Sequence, residues 1–261
     1  MILYKYVDLE TARKILANHT VKFTNPYDFN DPFEVTSAFY ESNERKYSDE
    51  GNALNHLKIS MCYGILSLSR SPTNPLMWAH YGWGKRMHHE NVIFLGQNNT
   101  AHGGMVIGID INESGLNDEG SNIIPAKFGS VIYTTTKPTT AFSESENLEL
   151  IEGMKFHYDP QYQEALQRAF LYKSSHWSYE EEVRVVRNIH RNCKGEYNDR
   201  GIQKINKNSI KEIYIGSSHS YNKNHSRALS NEIKSSLPDC KVLQCNTNVK
   251  TWDINFDEIK S

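Results

Sequence analysis

Short β-patterned runs recur from one end of the chain to the other, and that recurrence constrains the fold more than any other feature. The runs are "ILYKYV" (2–7), "TVKFT" (20–24), "GILSLS" (64–69), "GGMVIGID" (103–110), "SVIYTTT" (130–136), "YEEEVRVVRNI" (179–189), "IKEIYIG" (210–216), "KVLQCNT" (241–247) and "TWDINF" (251–256). β-Branched and aromatic residues recur in them, and turn formers separate them. Helical patterns are fewer. Asp8 is placed to cap "LETARKILAN", which puts Leu9, Ala12, Ile15 and Leu16 on one face. "SRALSNEIKSSL" (226–237) reads as another helix, and 147–175 as a mostly helical stretch broken at Asp159-Pro160. The order predicts an α+β fold with a mixed, largely antiparallel sheet and few helices. No repeat or low-complexity linker divides the chain, so a single domain over 1–261 is expected, with an insertion at 83–102.

Charge and cysteine usage narrow the function classes. The net charge of −2 argues against a chain that coats nucleic acid, but the charge is uneven. Residues 111–153 hold seven acids and two lysines, a net of −5, whereas 184–227 hold ten Lys/Arg and three acids, a net of +7. Such a basic stretch can attract a phosphate-bearing ligand or form a solvated face. Cys62, Cys193, Cys240 and Cys245 form no C-x-x-C pair and no zinc-ligand spacing, which points to a reduced, cytoplasmic protein. Acids by residue 8 argue against a leader peptide, and no run nears the ~18 apolar residues of a membrane span. No membrane partner is expected.

Three segments carry chemistry. "LMWAHYGWG" (76–84) packs two tryptophans, His80 and Tyr81 into what reads as an aromatic loop after the turn-rich "SRSPTNP". In "GILSLS" alternation puts Ser67 and Ser69 on one face and Leu66 and Leu68 on the other. In "YEEEVRVV" the same alternation puts Glu180, Glu182 and Arg184 together. Such a trio is either a neutralised ladder or equipment for a cationic, sugar-like transition state, with Arg184 keeping its partner ionised. Glu182 is flanked by Val183, Val185 and Val186, where an unpaired carboxylate is costly. Trp78 reads first as a core anchor under the loop, and Asn30-Asp31-Pro32 as a structural corner. The histidines His80, His88, His89 and His102 lack metal-site spacing, and no glycine-rich phosphate loop is present.

The order "LYKY", "NDPFE", "LSLS", "LMWAHYG", "GGMVIGID", "VIY" and W-x-Y-E-x-E-x-R resembles a bacterial and phage domain-of-unknown-function family (number twenty-nine seventy-one), from Leu3 to about Gly216. About twenty residues, "WGKRMHHENVIFLGQNNTAH", intervene here where that family runs quickly into the Gly-Val-Ile strand. That company implies a phage-defence or toxin role. More distantly, "YKYVDLETARKILANHT", "LSLS" with "WAHY", and "EEEVR" are similar to ADP-ribosyltransferases. Those enzymes have a first strand and helix, a Ser-x-Ser strand and a Glu-x-Glu strand. Tyr4, Lys5 and Tyr6 stand where that family has a first-strand His or Arg.

The resemblance implies an enzyme that cleaves the nicotinamide–ribose bond of NAD and passes ADP-ribose to a protein, a nucleic acid or water. Glu182 is then expected to stabilise the ribose cation and Glu180 to orient the acceptor. Tyr81 and Trp78 are expected to stack on nicotinamide, and His80 or Ser67 to hold a ribose hydroxyl. Lys5 and Arg184 would neutralise pyrophosphate, with Tyr4, Tyr6 and Ser69 completing the NAD-contacting set. Two other readings stay open. One is a divalent-metal nuclease using Asp31, Glu34, Glu180 and Glu182. The other is a non-catalytic module whose aromatic loop binds a nucleotide or peptide.

Overall fold

The computed structural model describes residues 1–35, 49–85, 99–138, 140, 142–189, 201–219 and 223–259. Seven strands form one sheet: β1 (Ile2–Val7), β3 (Tyr63–Ser69), β6 (Met105–Asp110), β9 (Glu182–Asn188), β11 (Ile210–Ile215), β12 (Lys241–Thr247) and β13 (Ile254–Glu258). Their spatial order is β13-β12-β11-β6-β1-β3-β9. Every neighbouring pair is antiparallel except β11 with β12, which are joined by the helix α6 (Lys223–Ser236). That is the connection parallel strands require. The fold is therefore α+β with a mostly antiparallel sheet, as the strand order predicts. Three short pairs lie outside it: β2 (Thr20–Lys22) with β10 (Ile202–Lys204), β4 (Gly84–Lys85) with β5 (Asn99–Thr100), and β7 (Ile132–Thr134) with β8 (Tyr172–Ser174).

The sheet buries three apolar clusters, and their arrangement makes room for a site. One face packs against α1 (Leu9–Asn18) and α6 through Leu3, Val7, Leu66, Leu68, Val183 and Val185. Asp8 caps α1 by accepting from Thr11 N at 2.9 Å, and Ala12, Ile15 and Leu16 are its buried face, as the sequence spacing predicts. The opposite face carries two separate clusters. Ile65 and Val186 meet α2 (Asp49–Cys62) and α5 (Gln163–Phe170), while Tyr6, Val106 and Tyr214 meet Met77 and Trp78 of α3 (Pro75–Tyr81). Between them stand the polar residues of β1, β3 and β9.

Several local readings need correction. The segment 76–84 is largely helix, not loop. Asn74 accepts from Leu76 N and Met77 N, and Pro75 opens the first turn, where its missing N–H costs nothing. Residues 147–175 are not one broken helix. A helical turn α4 (Glu144–Glu146) runs into a π-helical stretch (Asn147–Ile151), then α5 follows Asp159-Pro160, and Tyr172–Ser174 is strand. The strand expected from Tyr179 starts at Glu182, because Ser175–Glu180 is a 3-10 helix and Glu181 is left-handed at φ 46°. Of the expected insertion, β4 and β5 bracket residues 86–98, which lie outside the described residues together with His88, His89 and Cys193.

Candidate active site

A cleft of about 300 Å³ opens on the polar strip between the two clusters. Its lining includes Tyr4, Lys5 and Tyr6 from β1, Ser67 and Ser69 from β3, Tyr81 from α3, and Glu180 and Glu182. Strand register explains the assembly. Tyr4 faces Ser69, and Ser69 in turn faces Glu182, so three neighbouring strands present polar groups at one level. Tyr4 and Ser69 are the one registered pair between β1 and β3. Next to it, Lys5 Nζ donates to Ser67 O at 2.9 Å, satisfying a carbonyl near the point where the ladder ends. Burial pushes the Lys5 ammonium pKa down, against the pull of Glu182 and Glu180.

Glu34, Glu180, Glu182 and Lys173 form the cleft's rear wall, with Arg184 behind them. Lys173 Nζ lies 3.0 Å from Glu34 Oε1, 2.6 Å from Glu180 Oε2 and 3.0 Å from Glu182 Oε2. Beneath it, fully buried Arg184 donates from Nε to Glu182 Oε1 at 2.9 Å, from Nη2 to Glu182 Oε2 at 3.1 Å and to Glu34, and from Nη1 to Phe170 O at 2.7 Å. Burial alone would raise the Glu182 pKa, but Arg184, then Lys173, outweigh it and push the carboxyl down to about 2. For Glu34 burial wins over the same two cations, and its pKa is raised. The Lys173 ammonium is stabilised despite its burial, chiefly by Glu182 and Glu34. Left-handed, non-glycine residues stand beside each carboxylate: Val35 (φ 55°) follows Glu34, and Glu181 separates Glu180 from Glu182. Such strain, of order 1–3 kcal/mol per residue, concentrates at functional sites.

The helix α3 is tied to this wall. Tyr81 Oη donates to Glu180 Oε1 at 2.8 Å, and burial followed by the Glu180 charge raises the phenol's pKa. Asn74 caps α3 with its carbonyl and donates its amide to Tyr179 O at 2.5 Å. Glu182 N donates to Tyr133 Oη at 2.9 Å, joining β7 to the same point.

The structure thus brings Tyr4, Lys5, Tyr6, Ser67, Ser69, Tyr81, Glu180 and Glu182 to one cleft. It places three other expected residues elsewhere. Trp78 is fully buried, with Nε1 donating to Pro72 O at 2.9 Å and its ring stacked on His102, so it is a core anchor. His80 is exposed, with its ring between those of Tyr81 and Tyr179, and it does not line the cleft. Arg184 spends its donors on carboxylates and a backbone carbonyl, so no pyrophosphate reaches it. Among the described residues the basic stretch does not line the cleft either. Arg187 binds Asn122, Lys211 pairs with Glu113, and residues 190–200 lie outside the described residues. Sequence reading misses Lys173, hidden in an apparent helix tail, and Asn74, whose signal is the Asn-Pro pair that opens a helix.

Among the described residues no group of His, Cys, Asp and Glu is arranged to hold a metal ion, and no helix is long and apolar enough to cross a membrane. The model of the family described as "Protein of unknown function (DUF2971)" matches residues 77–185, a narrower span than the motif order suggests. No curated protein and no solved structure matches the chain. The chain is thus similar to that family from α3 to β9, the segment that supplies Tyr81, Lys173, Glu180, Glu182 and Arg184.

Proposed function

We propose that the cleft is a glycosyl-transfer site for the nicotinamide end of NAD, in a cytoplasmic enzyme that passes ADP-ribose to a macromolecule or to water. The observation that carries this reading is Glu182, a buried carboxylate at the edge of an open cleft, kept ionised by Arg184 from behind. A charge fixed before the reaction stabilises a ribose cation without reorganisation. The cleft wall also suits a cation in the ground state, since the carboxylates of Asp28, Glu34, Glu180 and Glu182 outnumber the ammonium groups of Lys5 and Lys173 in its lining, beside the rings of Tyr4, Tyr81 and Phe29. In this reading the bond from ribose to nicotinamide breaks with its electron pair going to the ring, which leaves neutral. Glu182 faces the developing positive charge. Glu180, oriented by Tyr81 and Lys173, positions the attacking hydroxyl and takes up its proton as the new bond to the ribose forms. Tyr81 takes the stacking role alone, since Trp78 does not reach the cleft.

The test is incubation of the purified protein with NAD and a cell lysate. Free nicotinamide together with labelled macromolecules supports transfer, and nicotinamide alone supports hydrolysis. Neither product at any NAD concentration rejects the reading. A metal-dependent nuclease built on Asp31, Glu34, Glu180 and Glu182 has less support, because Lys173 already stands among the three glutamates. Nucleic-acid cleavage abolished by EDTA would select it.

A further inference from the structure

Two imidazoles stack on each other where β11 gives way to α6. His219 ends the 3-10 turn Ser217–His219 and is 1% exposed. Its Nε2 lies 2.8 Å from Gly103 O, and a carbonyl only accepts, so the neutral ring carries its proton on Nε2. Nδ1 is left as a buried lone pair with no partner among the described residues. The half-buried His225 ring of α6 stacks on that of His219, with centroids 5.2 Å apart and planes at 28°.

Hydrogen bonds connect this turn to the cleft. Ser218 donates to His102 O from N at 3.1 Å and from Oγ at 2.8 Å, and Gly216 N donates to Gly104 O at 3.1 Å. Gly103 N and Gly104 N in turn donate to Gly82 O, both at 2.9 Å. Gly82 caps α3 directly after Tyr81, and the His102 ring stacks on Trp78 of the same helix. The segments lie so close that a Cβ on Gly216 would stand 2.1 Å from His102 O, and one on Gly104 2.9 Å from the carbonyl carbon of Gly82.

We propose that His219, His225 and Arg13 form an acid-sensitive latch that secures α3, and with it Tyr81, at the cleft and loosens in mildly acidic solution. The latch needs only the geometry of the cleft, so it goes beyond the glycosyl-transfer reading and does not depend on it. A second proton on His219 would put an Nδ1–H in the interior without an acceptor, and a positive charge beside a second imidazole and a guanidinium. Burial lowers the His219 pKa, the Gly103 carbonyl opposes that shift, and His225 and Arg13 of α1 add to it. Burial and then Arg13 lower the pKa of His225, with Glu232 of α6 opposing. Of the other neighbours, β12 brings the uncharged Gln244, and His102 turns its ring to Trp78. Both rings thus bind a proton more weakly in the folded chain. Their contribution to stability is complete above the ordinary histidine value of 6.5 and is lost as pH falls below it.

Hydrogen exchange of the full chain tests the latch, read on peptides covering 75–84 and corrected for the intrinsic effect of pH on exchange. From about pH 7.5 to about pH 5, exchange there should quicken roughly tenfold, the scale set by one linked proton over about one pH unit. Peptides from α5, which the latch does not touch, should keep their rates. His219→Gln retains an N–H for Gly103 O but takes up no proton, so most of the rise should vanish. Arg13→Gln, at an exposed position, eases protonation of the folded chain and should flatten the rise. If His219→Gln is unfolded at the assay temperature, Arg13→Gln decides. Parent exchange that ignores pH, or a rise that survives the substitutions, overturns the latch. Nicotinamide release plays no part in this measurement. A chain that shows the rise but releases no nicotinamide keeps the latch and loses the glycosyl-transfer reading, and turnover without the rise does the reverse.

Discussion

Tyr81 and Glu180 are 99 positions apart in sequence, yet the phenol donates to the carboxylate at 2.8 Å. This one bond couples the helix α3 to the turn that precedes β9 and fixes the mouth of the cleft. Tyr81→Phe should therefore cost about 1.5–3 kcal/mol in urea unfolding, the range for a hydrogen bond to a charged group. It should also weaken turnover by freeing Glu180. A variant as stable and as active as the parent would show that the contact is idle.

Lys173 is the centre of the charge cluster. Lys173→Met keeps most of the stem but leaves three buried carboxylates facing one guanidinium. Breaking a buried pair in this way costs about 3–5 kcal/mol. The exposed pair Lys14–Glu10 is the control, since solvent screens it and Lys14→Met should leave stability essentially unchanged. Equal effects of the two substitutions in denaturant unfolding would contradict the account.

Acid should loosen the cluster in a defined window. The folded pKa of Glu182 lies at about 2, below its ordinary 4.5, so its stabilising contribution is complete above pH 4.5 and is lost as pH falls to about 2. The raised pKa of Glu34 acts in the opposite sense, because protonating it is easier in the folded protein. A Glu182→Gln variant should therefore show a shallower fall of stability below pH 4.5 than the parent. Parallel curves would mean that Glu182 is not held ionised.

Trp78 separates scaffold from site. Trp78→Phe removes the bond to Pro72 O and part of a fully buried ring, and should lower stability by about 1–3 kcal/mol. Ligand affinity of the folded variant should be unchanged, because the ring does not line the cleft. An affinity loss of tenfold or more at a temperature where the variant is fully folded would return Trp78 to the site.

How far the sequence reveals this arrangement depends on the range of the interactions involved. The strands are legible because alternation is a local signal, and Ser67, Ser69, Glu182 and Arg184 share a face for that reason alone. Glu180 reaches the same cluster by a different route. It leaves the strand through the left-handed Glu181, and Lys173 draws its carboxylate back beside Glu182. Nothing local marks Glu34 or Lys173 as partners of β9, since the first lies 150 positions from Arg184 and the second sits in a three-residue strand. Trp78 takes its core reading and His80 stays out of the cleft because a helix, unlike a loop, turns successive side chains in different directions.

The central claim is that Glu182 stabilises a charge that develops only during reaction, in addition to balancing Arg184. Specific nicotinamide release from NAD by Glu182→Gln, normalised to folded protein at a temperature below its melting point, tests this most directly. Because Arg184 loses part of its counter-charge, the variant should melt lower than the parent. Its turnover per folded molecule should nevertheless fall by roughly a hundredfold or more, with little change in NAD affinity. A destabilised variant that keeps the parent's specific activity would make Glu182 purely a structural partner of Arg184 and would contradict the catalytic assignment.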